Sequence, residues 1–489
     1  MHATRPRRIV VLTAALTLFA APAAWGSTAV VGALQQVSGS SPFAGCAADH
    51  VATQPGTNVP NSEVEPSVAA STVDRNGDGA LDVIGGYQQD RWSNGGARGV
   101  YSSVWFNGSW HQVAIPGTSV CVGGVELRAS DPWVTFSPNG VAYYMTLASS
   151  TGSIDSAMLV NRSTDGGLTW SAPTTLIRET SAFNFNDKNS ITADPFDSNF
   201  VYAIWDRSRF PSDDRQFHSI AGFPRSVRSD AFFTRTTNGG QTWEAPRAIF
   251  QPQANQFGIG HQIVVLSDGT LVDAFMLFHG SGSNKKGQEV AVMISRDRGV
   301  TWTAPIRVAK ALPGFVSDPD DGTPVRTGDI IPEVAAGPNG SVYVVWQEAT
   351  LAPSGSAIAL SRSLDGGLTW SAPKRINTVP TTQAFTPSVR VLPDGTIGVT
   401  HYDFRLNTPD GGATLPTDYW FLHSHDGGST WAESRVTPQS FDMRKAPFAR
   451  GLFTGDYEGL DTQSGQFVAA FSQSHGTDPA SIFVGRITP

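Results

Sequence analysis

One pattern, Ser/Thr-x-Asp/Asn-x-Gly-x-Thr-Trp, recurs five times and constrains the fold of this chain more than anything else in it. The copies are STDGGLTW (Ser163 to Trp170), TTNGGQTW (Thr236 to Trp243), SRDRGVTW (Ser295 to Trp302), SLDGGLTW (Ser363 to Trp370) and SHDGGSTW (Ser424 to Trp431). Their third positions lie 59 to 73 residues apart, a length that fits one four-stranded antiparallel sheet per copy. A decayed sixth copy, WFNGSW, runs from Trp105 to Trp110. In such a box the Asp or Asn side chain accepts bonds from the following backbone N–H groups, the glycines supply positive φ, and the Trp returns the chain to a strand. Its chemistry is used inside its own turn, so the box reads as a folding device rather than a binding group.

Around each box short strands recur in the same order. Before Asp365 they read PEVAAGP, SVYVVWQE and AIALSRS, and KRI follows the box. Alternating apolar residues and a PNG turn mark these as β. A last set, FTGDYEGLD, QFVAAFSQS and SIFVGRI, has no box of its own. The expectation is an all-β chain, a β-propeller of four-stranded blades with seven blades, or six if two modules merge. The final module shows three clear strands, so a strand within Thr28 to Val37 is expected to close the ring and remove open edges.

With 16% charged residues, 50 glycines, 32 prolines and a net charge of −8, the composition suits turn-rich β-structure. It carries no basic footprint for nucleic acid. Arg5, Arg7 and Arg8, then the apolar run from Ile9 to about Ala24, then small residues, predict a secretory signal peptide over 1–26; the run is too short for a membrane span, and no later stretch could cross a bilayer. The expected organisation is therefore 1–26 signal peptide, 27–60 N-terminal segment and 61–489 propeller, in a secreted protein. Cys46 and Cys121 either pair in an oxidising compartment, tying the N-terminal segment to the first blade, or stay free.

Residues just before each inner strand of a propeller converge at one end of the central channel. They include Glu65, Asp131, Asp187 with Lys188, His261, Asp329, Glu333, Thr386 and the Asp456-Tyr457-Glu458 run. The ends of the second strands add Asp90-Arg91, Asp206-Arg207 and Asp403 with Arg405. Arg91, Arg207 and Arg405 either converge on an anionic ligand through charge-assisted hydrogen bonds or each pair with a neighbouring carboxylate. For glycoside chemistry, which needs two groups with split protonation, the candidates are Asp131, Glu333 and the Tyr457–Glu458 pair. A Tyr beside a carboxylate can act as nucleophile; a buried Tyr bonded to a loop carbonyl is ordinary core. In DRNGDGALD, Asp74, Asn76, Asp78 and Asp82 resemble a calcium loop with Gly85 where the twelfth ligand should be, and a plain hairpin turn explains the same residues. Calcium is thus an optional ligand, and no cofactor is required.

The boxes resemble those of the sialidase superfamily and of bacterial proteins with BNR repeats, over about Asn61 to Pro489. That resemblance implies an exo-acting retaining glycosidase with three arginines on the substrate carboxylate, a Tyr–Glu nucleophile pair and an Asp acid/base. By it, Arg91, Arg207 and Arg405 would hold an anionic glycan, and Asp131, Glu333, Tyr457 and Glu458 would supply the chemistry. The chain departs from the family at Val64-Glu65-Pro66, which stands where an Arg-Ile-Pro segment is usual, and in Arg91 to Gly99, which has no carboxylate. A seventh blade is a further departure. The reading is a secreted sialidase-like glycoside hydrolase, or a non-catalytic propeller that binds glycan or protein at the cell surface.

Overall fold

The structure, a computed structural model, describes residues 1, 28–150, 155–210, 228–253, 256–280, 287–353 and 355–489. The expected signal peptide lies outside the described residues except for Met1. Strands dominate, and among the described residues all but a small sheet formed by two connections and a few short added strands fall into seven sequential antiparallel modules. The first strands of the modules are Glu63–Ala70, Arg128–Phe136, Asn184–Ala193, Gln256–Val265, Glu333–Ala336, Ala384–Val391 and Gly459–Gln463. Each contacts the next in this order, and the seventh contacts the first, so the seven run in a cycle. Modules 1 and 2 are also joined edge to edge by one residue pair, Ala97 with Ala129.

Each sheet is packed on both faces, which is why strands such as Val342–Glu348 are buried along their whole length instead of alternating. The core is a series of apolar layers, one between each pair of neighbouring sheets. Modules 5 and 6 share Tyr343, Val345 and Leu360 with Val389, Ile397 and Leu422. Modules 7 and 1 share Val468, Ala470 and Ile482 with Val68, Val83 and Tyr87. At about 1.5–3 kcal/mol per fully buried aliphatic or aromatic side chain, these layers dominate the stability.

The outer edge of module 7 is covered by the N-terminal segment: Val30–Val31 and Gln35–Gln36 pair with Asp478–Thr488. The first and last parts of the described chain therefore complete one sheet. A disulfide between Cys46 and Cys121, with Cα atoms 5.7 Å apart, fastens the same segment to the connection between modules 1 and 2.

All five boxes form their turns from within. In module 5 the Asp365 carboxylate accepts from the Thr369 N–H at 2.9 Å and the Thr369 hydroxyl at 2.6 Å, while the Ser363 hydroxyl accepts from the Gly367 N–H at 2.8 Å. These bonds favour the ionised form and hold the Asp297, Asp365 and Asp426 carboxyls down to about 2. Arg162, Arg235 and Arg362, each one residue before its own box, donate to a backbone carbonyl in a neighbouring box turn, at Gly239, Arg298 and Gly427. The boxes thus also strap neighbouring sheets together. The decayed copy is different: Asn107 and Gly108, both at positive φ, form a two-residue hairpin between Ala97–Phe106 and Ser109–Ala114. Among the described residues no helix is long and apolar enough to cross a membrane.

Candidate functional site

A β-bulge interrupts five of the seven first strands near their beginnings. Within the bulges Glu65, Asp131, Lys188, Gly260 and Thr386 have φ between 49° and 74°. Four of these are not glycine, and such backbone costs of order 1–3 kcal/mol per residue unless its surroundings enforce it. The bulges re-aim side chains from modules 1, 2 and 3 toward one another.

Two long connections complete the constellation. In the one between modules 4 and 5, Val316–Ser317 pairs with Pro324–Arg326. The latter pairs in parallel with Leu452–Phe453, from the connection between modules 6 and 7. Gly328 then passes so close to Asp456 that a Cβ there would overlap the Asp456 carbonyl oxygen. This close approach sets Arg326, Asp329, Arg450 and Asp456 above the bulges.

Charges are distributed unevenly within the cluster. Asp456 accepts from Lys188 Nζ at 2.6 Å and from Arg326 Nε at 2.9 Å and Nη2 at 2.5 Å. Burial pushes its pKa up, but the two cations outweigh burial and hold the carboxyl far below the usual carboxylate range. Lys188 is buried and Arg326 largely covered, and the carboxylates around them keep both firmly charged. Asp329 behaves oppositely: burial, with the Asp456 charge adding, pushes it up to about 7. Glu65 is raised to about 7 by burial, partly relieved by Lys188 at 3.9 Å. Asp187 rises to about 6 from burial and the nearby Asp131.

Behind these groups runs a buried chain of hydrogen bonds. Arg91 donates to Gln88 at 2.7 Å, Gln88 donates to Glu65 and to Ser130, and Ser130 donates to Asp131 at 2.6 Å. The other Asp131 oxygen accepts from the Lys188 N–H at 3.1 Å. Arg91 and Arg326 both lie over the Phe453 ring, at 4.8 and 4.3 Å from its centroid. The cluster opens to solvent through a cavity of about 250 Å³ lined by Lys188, Phe315, Arg326, Asp329, Arg450 and Asp456.

Of the residues given a binding or catalytic role from sequence, Arg91 and Asp131 stand in this cluster, together with Glu65, Asp187, Lys188, Asp329 and Asp456 from the residues expected to converge at one end of the channel. Tyr457 stands beside it, but its hydroxyl donates to the Pro132 carbonyl at 3.2 Å and its ring packs on Trp133 at 5.2 Å. Burial, with Glu65 and Asp131 adding, pushes the phenol well above its ordinary value, which is the opposite of an activated nucleophile. Glu458 points to another interface, accepting from the Ser472 N–H at 3.1 Å and bonding the Tyr402 hydroxyl. Glu333 accepts from Gln262 at 2.7 Å and faces Arg390; burial lifts it to about 7. Gln262 and Arg390 line a second cavity of about 370 Å³ along the first strands.

Arg207 and Arg405 are engaged elsewhere. Arg207 is paired with Glu179 at 2.5 Å and lies over Phe232. Arg405 is held by Asp403 and Glu433, both at 2.6 Å, over Trp420. Neither shares a partner with Arg91. In the DRNGDGALD turn, Asp74 accepts from the Gly77 and Gly79 N–H groups, Asn76 from Asp78, Asp78 from Ala80 and Asn107, and Asp82 from Arg75 and Asn76. The carboxylates of Asp74, Asp78 and Asp82 are therefore acceptors for the backbone N–H groups of their own hairpin turn and of Asn107.

Lys188, Arg326, Asp329, Arg450 and Asp456 are the groups sequence reasoning did not assign as site residues. Lys188, Asp329 and Asp456 sat in the run of residues before first strands, which was the available signal. Arg326 and Arg450 lie in connections without periodicity.

No protein-family profile matches the chain, and no curated protein matches it. Solved structures similar to it include a protein of unknown function from Dyadobacter fermentans, with 16% identity, 74% of this chain and 94% of that chain covered, and a TM-score of 0.48. A Hadza microbial sialidase gives 16% identity, 84% and 74% coverage, and a TM-score of 0.47. An α-L-arabinanase of Penicillium chrysogenum gives 15% identity, 73% and 92% coverage, and a TM-score of 0.42.

Proposed function

We propose that the protein is a secreted seven-bladed β-propeller that hydrolyses a glycosidic bond in the cavity between Asp329 and Asp456. The observation that carries this reading is that Asp329 and Asp456 line one cavity in contrasting surroundings, Asp456 gripped by Lys188 and Arg326 and Asp329 pushed up by burial. Glycoside cleavage needs a carboxylic acid that keeps its proton until the leaving oxygen takes it, and an anion that faces the positive charge developing on the sugar ring. Asp329, raised to about 7, is the acid. Asp456, kept ionised and immobile by Lys188 and Arg326, is the anion. Glu65, Asp131 and Asp187 surround Lys188 and keep its ammonium charged beside that anion.

The reading is wider than a sialidase. With Arg207 and Arg405 bound to their own carboxylates and Tyr457 bonded to a carbonyl, a guanidinium triad with a Tyr nucleophile has little support. The disulfide agrees with an oxidising, extracytoplasmic location.

Purified protein incubated with a panel of aryl glycosides tests the proposal. Turnover is expected, with kcat/KM falling above about pH 7 as Asp329 loses its proton. Asp329→Asn should lower kcat at least 100-fold, as expected for loss of a general acid. Silence across the panel counts against hydrolysis. One observation favours a second reading, a propeller that binds glycan without cleaving it: both cations grip Asp456, which stiffens the cavity without freeing a nucleophile. Saturable glycan binding with no turnover supports that alternative.

A further inference from the structure

Beside the charged cavity lies a longer groove of about 890 Å³, and Phe315 lines both. One wall of the groove comes from the connection between modules 4 and 5, with Leu312, Phe315 and Pro319. The other comes from the connections into and within module 6, with Thr381, Asn407 and Pro409. Phe315 is 67% exposed and Leu312 51% exposed, although the surrounding backbone is fixed. Gln383 fixes it, accepting from the Ser317 N–H at 3.0 Å and donating to the Ser317 carbonyl at 2.8 Å. A large aromatic held in the open at the junction of two cavities is a platform rather than a core residue.

The two volumes point to a divided ligand. A cavity of about 250 Å³ is below the roughly 300–1,000 Å³ typical of sites for drug-sized ligands, whereas the groove lies within that range. Charge narrows the ligand further. Among the described residues that line the groove Arg405 is the single cation, and Asp403 and Glu433 already neutralise it. Asp320 adds a carboxylate, which accepts from the Asp410 N–H at 2.8 Å. Nothing in the groove rewards a negative charge, while exposed apolar faces flanked by Thr, Asn and Asp suit a sugar ring with an apolar face and a hydroxyl edge.

We propose that this groove holds the continuing chain of a neutral oligosaccharide whose reacting residue occupies the charged cavity, with Phe315 as the stacking platform between the two. The inference rests on the glycan reading of the cavity and deepens it from a single sugar to a chain. The ligand spans Asp329 at one end and Asn407 and Pro409 at the other, so recognition grows with length.

The test uses the full-length secreted protein, a neutral oligosaccharide series of one to six residues, and an anionic series of equal lengths. Calorimetric affinity is measured for both, and kcat/KM wherever turnover occurs. The expected result is a gain of at least tenfold between one and three residues on the neutral series. Phe315→Ala should lose most of that length advantage, and Phe315→Trp should keep it. Because Phe315 is exposed, thermal melting of the variants should match the wild type. Short glycosides bound or cleaved with no gain from length overturn the groove proposal while leaving the cavity reading standing. A gain confined to the anionic series overturns it as well. Failure to bind any glycan of any length overturns both readings.

Discussion

Replacing Lys188 with Met removes one cation from the centre of the cluster while nearly preserving side-chain volume. The Lys188 side chain is 5% exposed, and its ammonium sits 2.6 Å from the Asp456 carboxylate and 3.9 Å from Glu65. Removing one partner of a buried pair commonly costs about 3–5 kcal/mol, because the other charge stays buried without compensation. Here Arg326 keeps its grip on both oxygens of Asp456. The loss should therefore lie near the lower end, about 3 kcal/mol. Urea denaturation followed by tryptophan fluorescence at pH 7 measures it as a lower midpoint with an unchanged slope. Asp456→Asn alone should also be costly, because it leaves both Lys188 and Arg326 without their carboxylate, and the double variant should lose less than the sum of the two single losses, since the Lys188–Asp456 contact is lost only once; a coupling of at least about 1 kcal/mol is expected for residues in direct contact. A loss under about 1 kcal/mol, or a double variant that loses the sum of the two single losses, refutes the claim that these charges hold one another.

Gly328→Ala should force the connection between modules 4 and 5 away from Asp456, weakening glycan affinity at least tenfold; affinity equal to wild type would mean the close approach is unimportant. Reduction of the disulfide, or Cys46→Ser with Cys121→Ser, should lower stability by up to about 4.5 kcal/mol by the loop-entropy relation, given a sequence separation of 75, and a calorimetric melt measures it. Burial raises Glu63 and Asp206 to about 8 and Glu333 to about 7. Their folded values lie above their unfolded ones, so the stability they contribute is complete below about pH 4 and is lost as pH rises toward 8. The urea midpoint should fall across pH 5–8 and level off above; a rise over that window contradicts the assignment. The box carboxylates act oppositely. Asp297, Asp365 and Asp426, held near 2, contribute above about pH 4 and lose that contribution as pH falls toward 2, which acid denaturation followed by circular dichroism reads.

Much of the framework could be read from the chain because turns are local. A box needs only its own Ser, Asp, Gly and Thr to form, so five copies announce five sheets wherever the rest of the chain goes. The strand order followed from apolar alternation, and the three-stranded last module implied a fourth strand from elsewhere. WFNGSW misled because Asn-Gly also makes a two-residue hairpin, which needs no third-position carboxylate.

The site was legible in its floor and not in its roof. Glu65, Asp131 and Lys188 lie in bulges near the starts of first strands, one or more residues inside the position the repeat identifies. Arg326 and Arg450 belong to connections whose pairing, Pro324–Arg326 with Leu452–Phe453, joins segments more than a hundred residues apart without a repeating pattern. The arginine assignments show the same limit. Asp403 lies two positions from Arg405, but the second partner, Glu433, is 28 residues on, and Glu179 is 28 residues before Arg207. A guanidinium free to bind a ligand and one consumed by a distant carboxylate look alike in sequence.

The central claim, that the cavity under the paired connections receives a glycan, is tested most directly by a crystal structure with a hydrolysis-resistant neutral trisaccharide. The account predicts one sugar ring within hydrogen-bond reach of Asp329 and Arg450 and the next ring stacked on Phe315. A trisaccharide seated instead around Gln262 and Arg390, or on the outer strands away from Asp456, would contradict it.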